Sequence, residues 1–223
     1  MTCRHAVALA ALLFMSPHLP ASAEQPAPRL ASDAVPDWSG PYLGLALAAP
    51  QGGNSWRQAS SGLELVPGDW RGNGLVLSLG HDWQRNRLTY GARIDYGPGS
   101  HVARPRNALF INCADCATEV DNLTTLTGRI GLAAGKAHLF AEGGWARGSV
   151  TATNLGGLLT YADADLSGWT LAVGAERQVA DGLSLTIRYD HIDLGAQPLP
   201  DYVPTGETRI EIGRMQIGFA SRW

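Results

Sequence analysis

Residues 168–190, GWTLAVGAERQVADGLSLTIRYD, are the stretch that decides the fold. Apolar side chains occupy every second position from Trp169 to Ala175 and again from Leu185 to Tyr189, while the positions between them are small, polar or charged. The turn-forming residues Ala180-Asp181-Gly182 separate the two runs. A period of two is typical of β-strands, so this stretch predicts an antiparallel hairpin with one apolar face.

The same alternation recurs in six other segments of about ten residues, a length typical of membrane-spanning strands. They are centred near Leu45, Leu79, Ala92, Gly128, Ala141 and Ile217. The mean hydropathy of −0.07 agrees with strands that turn one face to lipid and the other to a polar lumen. The sequence therefore predicts an all-β fold, an eight-stranded antiparallel transmembrane β-barrel.

The connections between these segments alternate in length. Short turns lie near Asn86, Gly135 and Gly182, whereas the other connections are long and cover residues 49–71, 98–120, 148–166 and 195–207. This alternation is typical of bacterial barrels with short periplasmic turns and four long outer loops. The alternative is a soluble barrel with its apolar face inward. In such a barrel the leucines would have to pack inside a lumen that eight strands keep narrow, while all the charged faces pointed to water. We therefore disfavour this alternative.

The amino terminus has the features of a secretory signal. Arg4 and His5 precede an apolar run, and Ala21-Ser22-Ala23 provides a small-residue cleavage site. We expect a signal peptide over 1–23, a flexible periplasmic leader over 24–37 and a barrel domain over 38–223. The expected location is the bacterial outer membrane. The formal charge of −3, without a basic stripe, argues against nucleic-acid binding.

Charged residues on the lumen face form the first candidate site. Paired carboxylates and arginines can line a pore or act in acid–base chemistry, but in a narrow barrel they are expected to pair and fill the lumen. We expect a plug of salt bridges. The predicted network comprises Asp82, Arg93, Asp95, Arg129, Glu142, Glu176, Arg188, Asp190 and Arg214.

Aromatic residues near the strand ends predict two girdles at the headgroup levels of a bilayer. The expected members are Trp38, Trp83, Tyr90, Tyr96, Trp145, Trp169, Tyr189, Phe219 and Trp223. Separately, Cys113 and Cys116 lie in the second long connection. Because the surroundings of this C-x-x-C pair fit neither a redox nor a zinc motif, we expect a small structural disulfide and no metal site.

Residues 38–44 read WSGPYLG, which is a W-x-G-x-Y-x-G motif. This motif resembles the opening of the barrel in opacity-type, OmpA-like porins of Gram-negative outer membranes. Residues 80–84, 168–176 and 183–190 are similar to its second, sixth and seventh strands. The terminal Trp223 resembles the aromatic signal read by the barrel-assembly machinery. The resemblance implies a surface protein with a role in envelope integrity, adhesion or haem binding, and it supplies no catalytic residues.

These observations favour a structural or surface-interaction barrel that acts through its outer loops. The alternatives are a narrow porin for small solutes and a surface protein that captures haem or another ligand, with His101 and Tyr161 as weak haem ligands. An enzyme acting on lipid A is disfavoured because no serine stands at a suitable spacing from His191. We expect no cofactor. The expected partners are outer-membrane lipids and lipopolysaccharide, the assembly machinery, and a host or surface ligand.

Overall fold

The computed structural model describes residues 36–58, 62, 68–104, 116–154, 159–199 and 206–223. Within these ranges the chain forms eleven strands, and no helix there is long and apolar enough to span a membrane. The strands are β1 (Gly40–Gln51), β2 (Gly53–Gln58), β3 (Gly68–Arg71), β4 (Gly74–Arg85), β5 (Leu88–Gly97), β6 (His101–Ala103), β7 (Ala117–Ala134), β8 (Ala137–Asn154), β9 (Leu159–Ala180), β10 (Leu183–Leu199) and β11 (Gly206–Arg222).

Eight of the described strands close into a ring. Their order is β1, β4, β5, β7, β8, β9, β10 and β11, every neighbouring pair is antiparallel, and β11 returns to β1. At the closing seam Leu45 lies opposite Phe219. The predicted eight-stranded antiparallel barrel is confirmed.

The part of the ring nearest the short turns, which we call the lower ring, turns its apolar side chains outward. Leu45, Leu77, Leu126 and Ile217 are each about half exposed, as expected for side chains that face lipid rather than a protein core. The residues between them point into the lumen, where Ser78 and Thr127 are buried. The period-two pattern therefore assigns the two faces of these strands correctly.

The barrel continues above this ring. There β2, β3 and β6 take the places of β1, β4 and β5, so that β11 pairs with β2, β2 with β3, β3 with β6 and β6 with β7. The chain bends between the lower and upper strands at Gly52, at Gly72 and over residues 98–100. We call this upper ring the extracellular section, after the side of the membrane that the sequence analysis predicts for the long connections.

The extracellular section corrects the predicted boundaries of the four long connections. Strands occupy parts of 49–71, 98–120, 148–166 and 195–207. The sequence pattern failed there because the alternation inverts outside lipid. On β7, Glu119 and Asp121 are on the outer face while Val120 is buried inside, which is the reverse of the leucine-out pattern below.

An apolar layer fills the lumen of the extracellular section. It is built from buried side chains of six strands, and Leu166 packs against it from β9. Close packing of this kind is typical of a protein core rather than of a channel. The layer consists of Trp70, Ala103, Val120, Leu123, Ala146, Val150, Ile192, Leu194, Ile210 and Ile212.

Candidate functional site

The structure places all nine predicted lumen charges inside the barrel, each no more than 5% exposed. They come from β4, β5, β7, β8, β9, β10 and β11, and they point inward because each occupies the lumen-facing position of the two-residue repeat. A buried charge is costly unless a partner compensates it. The contacts of each group therefore decide what the site can do.

Arg129 is the centre of the lower half of this set. Its Nη2 lies 2.6 Å from Glu176 Oε1 and its Nη1 lies 3.0 Å from Asp82 Oδ2. Its Nε is 3.5 Å from Glu142 Oε1, and the guanidinium lies 3.7 Å from the centre of the Phe140 ring. One arginine thus links three carboxylates on three different strands.

Arg188 is the centre of the upper half of this set of lumen charges. Its Nη2 is 2.9 Å from Glu142 Oε2 and its Nε is 2.7 Å from Asp190 Oδ1. Its Nη1 contacts Asp95, whose other oxygen accepts a 2.7 Å hydrogen bond from Arg93 Nε. The shared Glu142 connects the two halves into one network.

The uppermost pair and one unpredicted arginine complete the network. Arg214 Nη2 lies 2.7 Å from Asp190 Oδ2. Arg222 Nη2 lies 3.0 Å from Asp82 Oδ2 and 3.5 Å from Glu176 Oε2. We call the nine predicted residues together with Arg222 the charged belt. Among these described residues five arginines face five carboxylates, so the belt is electrically balanced.

Sequence reasoning missed Arg222 and Tyr42. Tyr42 is fully buried, and its hydroxyl lies 3.3 Å from Arg129 Nη1. Both residues were detectable because they continue the lumen-facing series of β11 and β1. His138 was also missed: its Nε2 lies 2.6 Å from Thr89 Oγ1 and its Nδ1 lies 3.9 Å from Glu176 Oε2.

Trp38 does not belong to the aromatic girdles, and that prediction is wrong for this residue. Its side chain is 3% exposed and lies beneath the charged belt, with its ring centre 5.0 Å from that of His138. Its amide donates to Gln84 Oε1 at 2.7 Å, and its carbonyl accepts from Arg222 Nη1 at 2.5 Å. Gly40, at φ +114°, directs the chain so that Trp38 covers the end of the lumen next to the short turns, which is the predicted periplasmic mouth.

The other eight predicted girdle residues lie on the outer face, with exposures from 37% to 69%. Trp83 and Tyr90 stack with ring centres 5.7 Å apart. These eight are Trp83, Tyr90, Tyr96, Trp145, Trp169, Tyr189, Phe219 and Trp223.

His101 lies between the charged belt and the apolar layer. It belongs to β6 in the extracellular section and is buried. Burial, together with the nearby positive charge of Arg214, lowers the pKa of the His101 imidazole from 6.5 to about 4. The side chain is therefore neutral at ordinary pH, which removes it from the charge balance of the belt.

A polar cluster lies at the outer end of the described lumen, and it includes an amide and an indole group that donate to the same oxygen. Asn54 Nδ2 donates to Thr118 Oγ1 at 2.6 Å, and Trp56 Nε1 donates to that hydroxyl at 2.9 Å. Thr208 Oγ1 accepts a longer hydrogen bond of 3.3 Å from Asn54. From the end next to the short turns to the opposite end, the described lumen thus holds Trp38, the charged belt, the apolar layer and this cluster.

The remaining candidates are not brought together. His191 lies on the outer face, and its ring centre is 5.2 Å from that of Trp169. Cys116 is buried just before β7, whereas Cys113 lies outside the described residues, so the disulfide stays a prediction. The Tyr161 side chain also lies outside the described part of the chain.

Comparison with known proteins identifies the family. The family model for the outer membrane protein beta-barrel domain matches residues 6–221. The chain belongs to this outer-membrane β-barrel family. Its leucine-rich face is therefore the face that meets the lipid of the outer membrane. No curated protein sequence matches this barrel.

Solved structures similar to this outer-membrane barrel are distant in sequence. The attachment invasion locus protein Ail of Yersinia pestis is 10% identical, with a TM-score of 0.45, over 83% of this chain and 99% of that chain. Neisserial surface protein A is 13% identical, with a TM-score of 0.43, over 83% of this chain and 98% of that chain. The outer membrane protease OmpT from Escherichia coli is 10% identical, with a TM-score of 0.44, over 82% of this chain and 97% of that chain.

Proposed function

We propose that this protein is a closed outer-membrane barrel that conducts no solute and supports surface interactions through its extracellular section and outer loops. One observation carries the proposal. The lumen is filled at successive levels by chemically different layers, first the charged belt and then the apolar layer. A continuous pore would require an opening through the charged belt and a second opening through the apolar layer.

The two layers oppose permeation for different reasons. In the belt every guanidinium already contacts carboxylates, so a passing ion would have to replace strong contacts between desolvated charges. A void of about 10 Å³ beside Arg93 and Arg188 has room for at most about one water molecule. In the apolar layer, a hydrated ion would lose its water without gaining polar partners.

The extracellular section suits recognition because it combines a rigid frame with a polar surface. Its outer face carries exposed charges such as Arg57, Glu207 and Arg209, which pair across neighbouring strands or along one strand. Loops on a rigid scaffold are common sites of binding. We propose a polar host or surface ligand as the partner, and recognition of Trp223 by the assembly machinery during insertion.

We also propose that the barrel is not an enzyme. Catalysis at the outer rim would need a nucleophile, a base and an oxyanion donor in mutual contact. His191, the histidine considered for that role, packs against Trp169 on the outer face. Incubation of the refolded protein with lipid A should leave the acyl chains intact. Acyl release that His191→Ala abolishes would contradict this part of the proposal.

The decisive experiment is conductance in planar bilayers. The refolded protein should insert without a steady open current, while a porin treated in parallel conducts. A large stable conductance would overturn the closed lumen and favour the narrow porin. Protease treatment of intact cells should cut the outer loops and spare the turns at Asn86 and Asp181. Cleavage at those turns in intact cells would refute the orientation.

A further inference from the structure

A cup lies at the end of the barrel next to the short turns. Its walls are residues 36–39, which precede β1, the turn between β9 and β10, and the end of β11. We call it the periplasmic cup, after the predicted orientation of the barrel. Its volume is about 230 Å³, whereas pockets for drug-sized ligands measure roughly 300–1,000 Å³. A ligand of the cup is therefore small, or it is a short part of a larger molecule.

The walls of the periplasmic cup are joined by backbone hydrogen bonds. The Arg222 amide donates to the Gly182 carbonyl at 2.7 Å, which links β11 to the β9–β10 turn. The Trp223 amide donates to the Pro41 carbonyl at 3.2 Å, which links the end of the chain to β1. Because the cup is already formed, a ligand loses little affinity to the ordering of its site.

One buried donor in the cup lacks an acceptor. Trp38 lines the cup and is 3% exposed, yet its Nε1 has no hydrogen-bond partner among the described residues. Buried indole N–H groups usually have a partner, and a buried donor without one costs free energy. A carbonyl oxygen of a ligand would satisfy the Trp38 indole.

The rim of the cup supplies acceptors. Asp37 is exposed, and the Ser39 amide donates to its Oδ1 at 2.9 Å. Hydrogen bonds from Ser39 lower the pKa of the Asp37 carboxyl, so this group is ionised at ordinary pH and can only accept. Gln178, which also lines the cup, carries a side-chain amide with both donors and an acceptor. The cup thus matches a ligand that has an acceptor and a donor close together.

The charges around the cup favour a neutral ligand. Arg222 lines the cup, but its guanidinium already donates to the Trp38 carbonyl and lies 3.0 Å from Asp82 Oδ2 and 3.5 Å from Glu176 Oε2. An anion would therefore gain little from Arg222 and would meet the negative charge of Asp37. A cation could pair with Asp37 but would leave the Trp38 indole without an acceptor.

Apolar side chains complete the lining of the cup. Pro36, Leu183 and Trp223 contribute to it, and the last two are 37% and 69% exposed. An apolar group of a ligand would bury part of this surface. A peptide unit has one carbonyl and one N–H group, as the Trp38 indole and the Asp37 carboxylate require, and its neighbouring side chain can be apolar.

We propose that the periplasmic cup binds an extended peptide segment of another protein in the periplasm, with one apolar side chain inside the cup. The Trp38 indole donates to a peptide carbonyl, and the Asp37 carboxylate accepts from a peptide N–H group. The inference depends on the predicted orientation of the barrel. It is independent of the closed lumen and of binding at the extracellular section.

The test is a titration of the refolded protein in phospholipid nanodiscs with the capped tripeptide acetyl-Ala-Leu-Ala-amide. The indole N–H resonance of Trp38, assigned by its loss in Trp38→Phe, reports binding in the cup, and ligand-observed NMR gives the affinity. This resonance should shift saturably, while that of Trp83 on the outer face stays unchanged. The analogue acetyl-Ala-Ser-Ala-amide should bind about tenfold more weakly, because it buries less apolar surface.

Each change to the cup has a matched control at the same end of the barrel. Trp38→Phe keeps a buried ring and removes the donor, whereas Trp83→Phe removes an indole N–H on the outer face. Asp37→Asn removes the rim carboxylate, whereas Asp181→Asn removes an exposed carboxylate that does not line the cup. The two cup variants should weaken binding of the leucine peptide about tenfold, as expected for one lost hydrogen bond, and the controls by less than about twofold. Asp37→Asn alters an exposed side chain and carries the test if Trp38→Phe does not fold.

Three results would overturn the proposal. Equal affinity for the leucine and serine peptides would exclude the apolar contact. A Trp38 resonance that does not move at saturating peptide, or equal binding by Trp38→Phe and Trp83→Phe, would place the peptide outside the cup. Tighter binding of free acetate than of the capped peptide would show that the cup is an anion site.

Discussion

Replacement of Glu176 by glutamine removes one negative charge from the charged belt while it keeps the size of the side chain. Glu176 is buried, with Arg129 Nη2 2.6 Å from Oε1 and Arg222 Nη2 3.5 Å from Oε2. Loss of one partner from a buried ion pair typically costs about 3–5 kcal/mol, because the other charge is left without compensation. Arg129 keeps Asp82 at 3.0 Å, and Arg222 keeps the same carboxylate at 3.0 Å. We therefore expect a cost near the lower end, about 3 kcal/mol.

Urea unfolding of the refolded barrel in detergent measures this cost. With a slope of about 2 kcal/mol per molar urea, the midpoint should fall by about 1.5 M. The matched control is Glu207→Gln, which removes an exposed carboxylate 4.0 Å from Arg57 and should change the stability by less than about 1 kcal/mol. The double variant Glu176→Gln/Arg222→Gln restores the balance of the belt and should recover part of the loss. Equal midpoints for Glu176→Gln and Glu207→Gln would refute the reasoning.

Three further predictions address other layers of the barrel. Trp38→Ala removes a buried ring from the periplasmic mouth and should lower the free energy of unfolding by about 3–5 kcal/mol in the same assay. The control Trp83→Ala, on the outer face, should lower it much less. Equal losses of stability would contradict the burial of Trp38. Because the pKa of His101 is about 4 in the folded protein and 6.5 without its surroundings, the unfolded chain takes up a proton first, and stability should fall as the pH drops from 6.5 towards 4. His101→Asn should flatten that part of the pH profile, and an unchanged profile would exclude His101 as its origin. Mass spectrometry of the mature protein should show the two-hydrogen deficit of a Cys113–Cys116 disulfide, and free thiols would reverse that assignment.

The membrane-spanning ring was predictable because lipid imposes a simple rule on the sequence. Every second residue of a strand must be apolar where it meets hydrocarbon, so Leu45, Leu126 and Ile217 reveal the outward face directly. The same rule assigns Arg129 and Glu176 to the lumen. It does not say which arginine meets which carboxylate, because those contacts join strands that are distant in the sequence.

The extracellular section was not predictable by that rule. Outside the bilayer the outward positions are polar, as at Glu119, and apolar side chains such as Val150 and Ile212 face inward. The alternation is still present, but its phase is reversed relative to the lower ring. Trp38 was misassigned for a different reason. It precedes β1, where no strand alternation fixes the direction of a side chain. Its contacts with Gln84, Arg222 and His138 hold it inside the barrel.

The position of Arg222 has a consequence for how the barrel assembles. Arg222 lies at the end of β11, whereas its partner Asp82 is on β4, and the two strands become near neighbours only through β1. An open sheet that has not joined β11 to β1 lacks this ion pair, although Asp82 still has Arg129 as a partner and Arg222 still has Glu176. Closure leaves the net charge of the belt unchanged and adds the contact between Arg222 and Asp82. The ion pair between Arg222 and Asp82 therefore favours formation of the β11–β1 seam, in addition to the backbone hydrogen bonds of that seam.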